Sequence, residues 1–292
     1  MLSFLKKKSF FNEKSRGFTL AEVLMVIAII GLLSSIVLVA TRGARERAEI
    51  AAMLQFSSNL HHSIGAYLVG EWRFSEGSED DLADSSGYGN DGTWNGAGAH
   101  WADSGVSQLG MAGQFSTGGV ASYIEVLDDE SLDVTNALTI QVWFKPYVIP
   151  SEAVFLVSKE QSYDVRLEGS PAEIQFYVWP DSVGWGLVGV VYSFKSDKWY
   201  HVACTYYSGS PIEHPVFKIF LNGTLIIEEV KDEVFGPKDI QNTSNPLHFG
   251  RSTLGFAGLM DDIRIYEEEL SSAQIKKLYV EGAGKRGLLT KE

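Results

Sequence analysis

The chain predicts a two-part molecule: a long N-terminal α-helix, transmembrane in its first half, followed by an all-β sandwich that ends in a short helix. Three observations carry that expectation. Residues 23–40, VLMVIAIIGLLSSIVLVA, contain no charge; beyond Tyr67 the apolar period changes from three-to-four to two; and Ser271 with Gln274 has capping-box spacing ahead of a final helical pattern. Hydrophobic residues make up 45% of the 292 and aromatics 12%, so a sizeable core can form and no tract is polar enough for long disorder.

The first 17 residues are basic, with Lys6, Lys7, Lys8, Lys14 and Arg16 against Glu13. Setting aside that local +4 turns the total of -13 into -17 for the remainder. An acidic body repels nucleic acid and anionic lipid, which excludes a nucleic-acid partner and favours solubility and cation binding. Cys204 is the single cysteine, so no internal disulfide forms; alternating with Tyr200, Val202 and Tyr206, it reads as a buried small hydrophobe.

Counted from Phe18 to Ala40, the apolar helix reaches about 34 Å at 1.5 Å per residue, enough to span a bilayer. No small-x-small cleavage site closes it, because Leu38 stands two residues before Ala40 and the chain runs on as TRGARERAEIAAM. Ile50, Met53, Phe56, Leu60, Ile64 and Tyr67 continue a helix face, and Gly65 is the expected C-terminal cap. His61 and His62 are adjacent, cannot share one helix face, and read as surface residues.

Glu22 is the anomaly in this segment. A carboxylate costs roughly 2.5–3.5 kcal/mol at the centre of a membrane helix and less near its end, so its presence implies a role. The run KSRGFTLAEVLMVIAIIGLL around it resembles the type IV prepilin and pseudopilin signature, glycine followed by FTLxE and an apolar helix. That resemblance implies cleavage after Gly17 by a prepilin peptidase, N-methylation of the new terminus Phe18, and assembly with other pilin-like subunits through Glu22. A carboxylate buried among packed helices needs a cation, and the Phe18 amine of a neighbouring subunit would supply it.

In the second part, Leu68, Gly70, Trp72 and Phe74 alternate with Val69, Glu71 and Arg73, which reads as a half-buried strand. Further strands are expected at 122–126, 138–144, 153–158, 173–179, 186–192, 199–206, 216–221, 224–229 and 259–266, with Asn222-Gly223 as a two-residue hairpin turn. The closing helix is expected from Ser271 to about Val280, plugging one edge of the sandwich. The boundaries that follow are a leader at 1–17, a helix at 18–65, the β domain at 66–282 and a tail at 283–292. The order GEWRFSEG, DSSGYGNDG, YIEV, ALTIQVWFKP, KWYHVACTY, FLNGTLI and GLMDDIRIYEEELSSAQIKKLY resembles the laminin-G-like, concanavalin-A-like jelly-roll superfamily, which includes carbohydrate binders, adhesion modules and glycanases.

Oxygen donors on the glycine-bent loop DSSGYGNDG suit calcium, and the resemblance implies a structural ion between that loop and the acidic final strand. Asp84 and Asp262 are then the side-chain ligands and Asn90 an oxygen donor; the same residues equally suit a solvated turn. A glycanase needs two carboxylates facing one sugar, and Glu125, Asp128 and Glu130 lack the relatives' E-x-D-x-E spacing, so no enzyme is expected. Of the aromatics that could stack on a sugar, Trp143, Trp179, Trp185, Tyr163, Tyr177 and Tyr192, most are expected in the core; Trp179 and Trp185 flank the loop WPDSVGW and are the preferred exposed pair. The expected role is a pilin-like subunit of a bacterial or archaeal-type envelope or filament, single-pass in the membrane, whose outer domain binds a carbohydrate or surface protein. A pseudopilin-like secretion component and a non-polymerising anchored protein are the alternatives.

Overall fold

The computed structural model describes residues 20–31, 33 and 64–289, apart from 78–79, 98–99, 107–108, 116–120, 181–185, 232–237 and 252–254. The chain divides into two compact units, Met1–Asn59 and Leu60–Glu292. In the first, residues 20–31 and 33 are helical, and Glu22 lies in that stretch. Among the described residues no helix is long and apolar enough to cross a membrane. Gly17, Phe18, His61, His62 and the remainder of the expected helix up to residue 63 lie outside the described residues, as does Trp185.

The second unit opens with Ile64 and a 3-10 turn at Gly65–Tyr67. Gly65 is therefore not a left-handed cap: it opens the 3-10 turn from which the chain extends into β1, Leu68–Trp72. Fifteen more strands follow: β2 (Asp81–Leu82), β3 (Gly92–Asn95), β4 (Trp101–Asp103), β5 (Met111–Phe115), β6 (Tyr123–Val126), β7 (Ala137–Pro146), β8 (Val154–Lys159) and β9 (Tyr163–Glu168). The rest are β10 (Glu173–Val178), β11 (Gly186–Val191), β12 (Tyr200–Tyr207), β13 (Val216–Leu221), β14 (Thr224–Val230), β15 (Leu247–Phe249) and β16 (Gly258–Tyr266).

These strands form two antiparallel sheets. The first runs β14-β13-β12-β7-β16-β5-β4, with β1 also paired to β16; the second runs β11-β10-β9-β8-β15-β6-β3-β2. Leu138, Ile140, Val142 and Phe144 of β7 and Val202, Cys204 and Tyr206 of β12 point inward from the first sheet. Tyr163, Val165 and Leu167 of β9 and Ile174, Phe176 and Val178 of β10 meet them from the second. Cys204 is buried and free, as its alternation implies. At Asn222-Gly223 both residues have positive φ, 51° and 70°, which closes the β13–β14 hairpin as expected.

The C-terminal helix, Ser272–Lys285, begins at the capping box of Ser271 and Gln274. It does not plug an edge. Ile275 and Leu278 pack on Ala203, Phe220 and Tyr266, and Ala283 on Trp143 and Leu259, so the helix lies over the outward face of the first sheet. It also runs past Val280 and through residue 283, because Ala283 and Gly282 are buried there and Arg286, its C-cap, is bonded to Asp261 and Gly282. That guanidinium stands 4.1 Å over the Trp143 ring. The outward face of the second sheet carries no helix among the described residues.

Candidate functional site

Strand pairing builds a continuous row across that outward face. Glu125 of β6 pairs with His248 of β15, His248 with Ser158 of β8, Ser158 with Asp164 of β9, Asp164 with Tyr177 of β10, and Tyr177 with Leu187 of β11. Because side chains alternate along each strand, residues in one such row point the same way. A second row, Phe155, Arg166 and Gln175, lies beside it. Residues of these rows, together with Glu160, Gln161, Trp179 and Arg251, line a groove of about 610 Å³.

Trp179 lines the groove, with Tyr177 behind it. Trp179 stacks on Tyr177 with ring centroids 5.6 Å apart and an interplanar angle of 24°. Its backbone is pinned on both sides, the N–H donating to Ser162 O at 2.9 Å and the carbonyl accepting from Gln241 N at 2.7 Å. The Arg166 guanidinium sits 3.8 Å over the Tyr177 ring, donates from Nε to Gln175 at 2.9 Å, and pairs with Glu168 at 3.2 Å. At the other end of the row His248 Nε2 lies 2.8 Å from Arg251 Nη1 and 3.2 Å from Glu125 Oε2, so both partners meet the same ring nitrogen. Burial and Arg251 hold the imidazole below its ordinary pKa against the pull of Glu125.

Asp164 is the unusual member. It is 2% exposed, yet lines the groove, and its Oδ1 has no hydrogen-bond partner among the described residues. Burial pushes its carboxyl up to about 7; Arg166 opposes that rise and Glu168 adds to it. Nearby, Gln161 holds a φ of 60° in the β8–β9 turn, a conformation uncommon for a residue with a Cβ and often stored at functional sites.

The expected metal residues form a different structure. Asp84 Oδ1 accepts from the Glu71 and Ser86 amides at 2.9 and 2.8 Å, and Oδ2 from Ser86 Oγ and the Asn90 amide at 2.6 and 3.0 Å. Asn90 donates its side-chain amide to Val69 O and Ser131 Oγ. Asp262 occupies a β-bulge in β16 with φ 51°, and its Oδ1 lies 2.9 Å from Arg264 Nη2. Arg264 Nε is 2.9 Å from Glu71 Oε1, so Asp84 and Asp262 are linked through Glu71 and a guanidinium. These donors do not fit a shared calcium: the Asp84 oxygens already hold four donors, and Arg264 supplies the cation to Asp262. Among the described residues no group of three or more His, Cys, Asp or Glu is arranged to hold a metal.

Of the other residues singled out in the sequence, Trp143 and Tyr163 are wholly buried, while Tyr177, Trp179 and Tyr192 are half-buried. Glu125, Asp128 and Glu130 diverge: Glu125 faces His248, Asp128 bonds the buried Lys159, and Glu130 opens a 3-10 turn. Asp164, Arg166, His248 and Arg251 fall outside the expected site residues, since the expected strands include neither β9 nor β15. The signal for β9 is present, because YDVRLE alternates apolar and charged residues from 163 to 168.

A model of the concanavalin A-like lectin/glucanases superfamily matches residues 117–276, more than half of the chain. The chain belongs to this superfamily. A prokaryotic N-terminal methylation motif matches residues 13–38, which makes the protein prepilin-like at its N-terminus and directs it to the bacterial envelope or surface. Over 183 residues, 56% of this lectin-like chain, it is 26% identical to adhesion G-protein coupled receptor V1 of Danio rerio, and that match spans 3% of the receptor.

Solved structures share the fold. Domain 4 of AbnA, a GH43 extracellular arabinanase from Geobacillus stearothermophilus solved with arabinotriose, is 21% identical with a TM-score of 0.55, covering 73% of this chain and 98% of that one. The binding domain of botulinum neurotoxin DC, solved with rat synaptotagmin II, is 15% identical with a TM-score of 0.56, covering 75% of this chain and 52% of that one. At these identities the likeness is one of fold.

Proposed function

We propose that the protein is a processed, envelope-anchored pilin-like subunit whose lectin-like head captures a ligand in the groove beside Trp179. The observation that carries the reading is Trp179, stacked on Tyr177 and lining the same groove on the outward face of the second sheet as Asp164, Arg166 and His248. Aromatics beside convergent polar groups are the usual make-up of a binding site. The arabinotriose complex of the GH43 domain supports a saccharide as ligand. The methylation motif supports anchoring and assembly through Glu22.

Mass spectrometry of the protein from the envelope tests the first half of this reading. The expected N-terminus is Phe18 with a methylated amine; a chain beginning at Met1, or one cut after Ala40, overturns the pilin-like assignment.

A further inference from the structure

Strand β6 ends at Val126, and the loop that follows turns through the 3-10 segment Glu130–Leu132, whose N-cap Asp129 accepts from the Ser131 amide at 2.9 Å. Asp128 and Asp133 stand on either side of that turn, and both meet the ammonium of Lys159, the last residue of β8. Asp128 Oδ1 accepts a hydrogen bond from Nζ, and Asp133 Oδ1 lies 3.4 Å from it. From the loop ahead of β15, the Thr243 and Asn245 carbonyls accept from the same nitrogen at 2.8 and 2.9 Å. That loop is held in turn by the Thr243 hydroxyl and the Asn245 side-chain amide, which donate to Glu160 O at 3.2 and 2.9 Å.

Lys159 is wholly buried, which a lysine almost never is without a partner. Four oxygens from two loops converge on its point charge, two from carboxylates and two from carbonyls. That mixture is what a calcium ion takes, at about 2.3–2.6 Å and in a flexible geometry. An ammonium serves it incompletely, because it has three N–H groups for four oxygens. The shortfall falls on Asp133, whose Oδ1 is buried and has no hydrogen-bond partner among the described residues. Burial, and after it the charges of Asp133 and Asp128, push the neighbouring Tyr163 hydroxyl far above its ordinary pKa, so the negative field of the pair reaches into the core. We propose that Asp128, Asp133, Thr243 O and Asn245 O form a calcium-type cation site that Lys159 occupies with its own ammonium, so that the tie between the two loops needs no metal. Removing the ammonium should open the site to a hard divalent ion. Calcium suits it better than magnesium, which demands near-ideal octahedral geometry at about 2.0–2.1 Å and gives up its waters reluctantly.

The test compares the full chain in detergent with its Lys159→Met variant, which keeps the apolar stem and ends short of the ammonium position. Thermal unfolding is followed in chelator, in calcium chloride, and in sodium chloride at matched ionic strength. In chelator the variant should melt below wild type, because two carboxylates lose their cation. Calcium should recover most of that loss saturably, with a Kd of about 10⁻⁴–10⁻³ M or tighter, and sodium should not. Reading the variant against wild type cancels any response of other acids, Asp84 and Asp262 included. Adding Asp133→Asn to the variant should weaken calcium about tenfold or more, since a charged ligand becomes a neutral one. Recovery by calcium no greater than by sodium, or equal calcium affinity with and without Asp133→Asn, would overturn the proposal and leave Lys159 an ordinary buried ion pair. If Lys159→Met does not fold in chelator, refolding decides: a chain that folds only with calcium supports the site, and one that stays unfolded with calcium as well removes it.

Discussion

Asp164 makes a prediction that separates a binding role from a structural one. Its carboxyl is raised from 3.8 to about 7, chiefly by burial, with Arg166 opposing and Glu168 adding. A group with a raised folded pKa contributes stability that is present below the unfolded value and lost as pH rises through the folded one. Ionised Asp164 therefore works against folding at pH 8. Replacement by Asn removes the penalty, so urea unfolding at pH 8 should show Asp164→Asn more stable than wild type, by up to about 4 kcal/mol, each tenfold change in acidity being worth about 1.36 kcal/mol. The difference should shrink toward pH 4. A variant destabilised at both pH values would make Asp164 an ordinary structural residue. Gain of stability with loss of ligand is the exchange expected of a site kept polar for its function.

Among the elements, the C-terminal helix offers a matched pair of tests. Glycine inside a helix normally costs about 1 kcal/mol relative to alanine, so Gly→Ala should stabilise wherever there is room. At Gly284 the nearest atom to an added Cβ is Leu289 Cδ1 at 3.7 Å, an ordinary contact. At Gly282 the added atom would lie 2.8 Å from Cζ2 of Trp143, which is wholly buried and packed against Arg286. Thermal unfolding should show Gly284→Ala unchanged or raised and Gly282→Ala lowered by about 1–3 kcal/mol; equal effects would mean the helix does not press on Trp143. The same helix shows what the sequence could convey. Its capping box and hydrophobic spacing mark where it begins, because caps are local chemistry. That it covers a sheet face depends on Phe220, Tyr266 and Ala203, which come from three different strands. Strands β7, β10, β12, β13 and β16 are legible from alternation, whereas two- and three-residue strands such as β2 and β15 are too short to show a period. The groove needs several strands in register, and residue spacing within one strand carries no register between strands.

For the molecule as a whole, the Leu60–Glu292 unit has its own continuous core and should unfold in a single cooperative transition when produced alone. Calcium should raise its melting temperature no more than sodium chloride at matched ionic strength, since Asp84 is saturated by four donors and Asp262 is paired with Arg264. A larger, saturable rise would show that these side chains rearrange around the ion. The architecture also bears on how such a head behaves when pulled. The chain enters through β1, which pairs with β16 of the first sheet, while the groove lies on the outward face of the second. Tension between an anchored N-terminus and a captured surface would therefore not run along one sheet. It would pass through the side chains interleaved between the two, so that resistance to mechanical rupture rests on Trp72, Phe249, Phe176 and Phe217 and their neighbours, not on the hydrogen-bonded ladders alone.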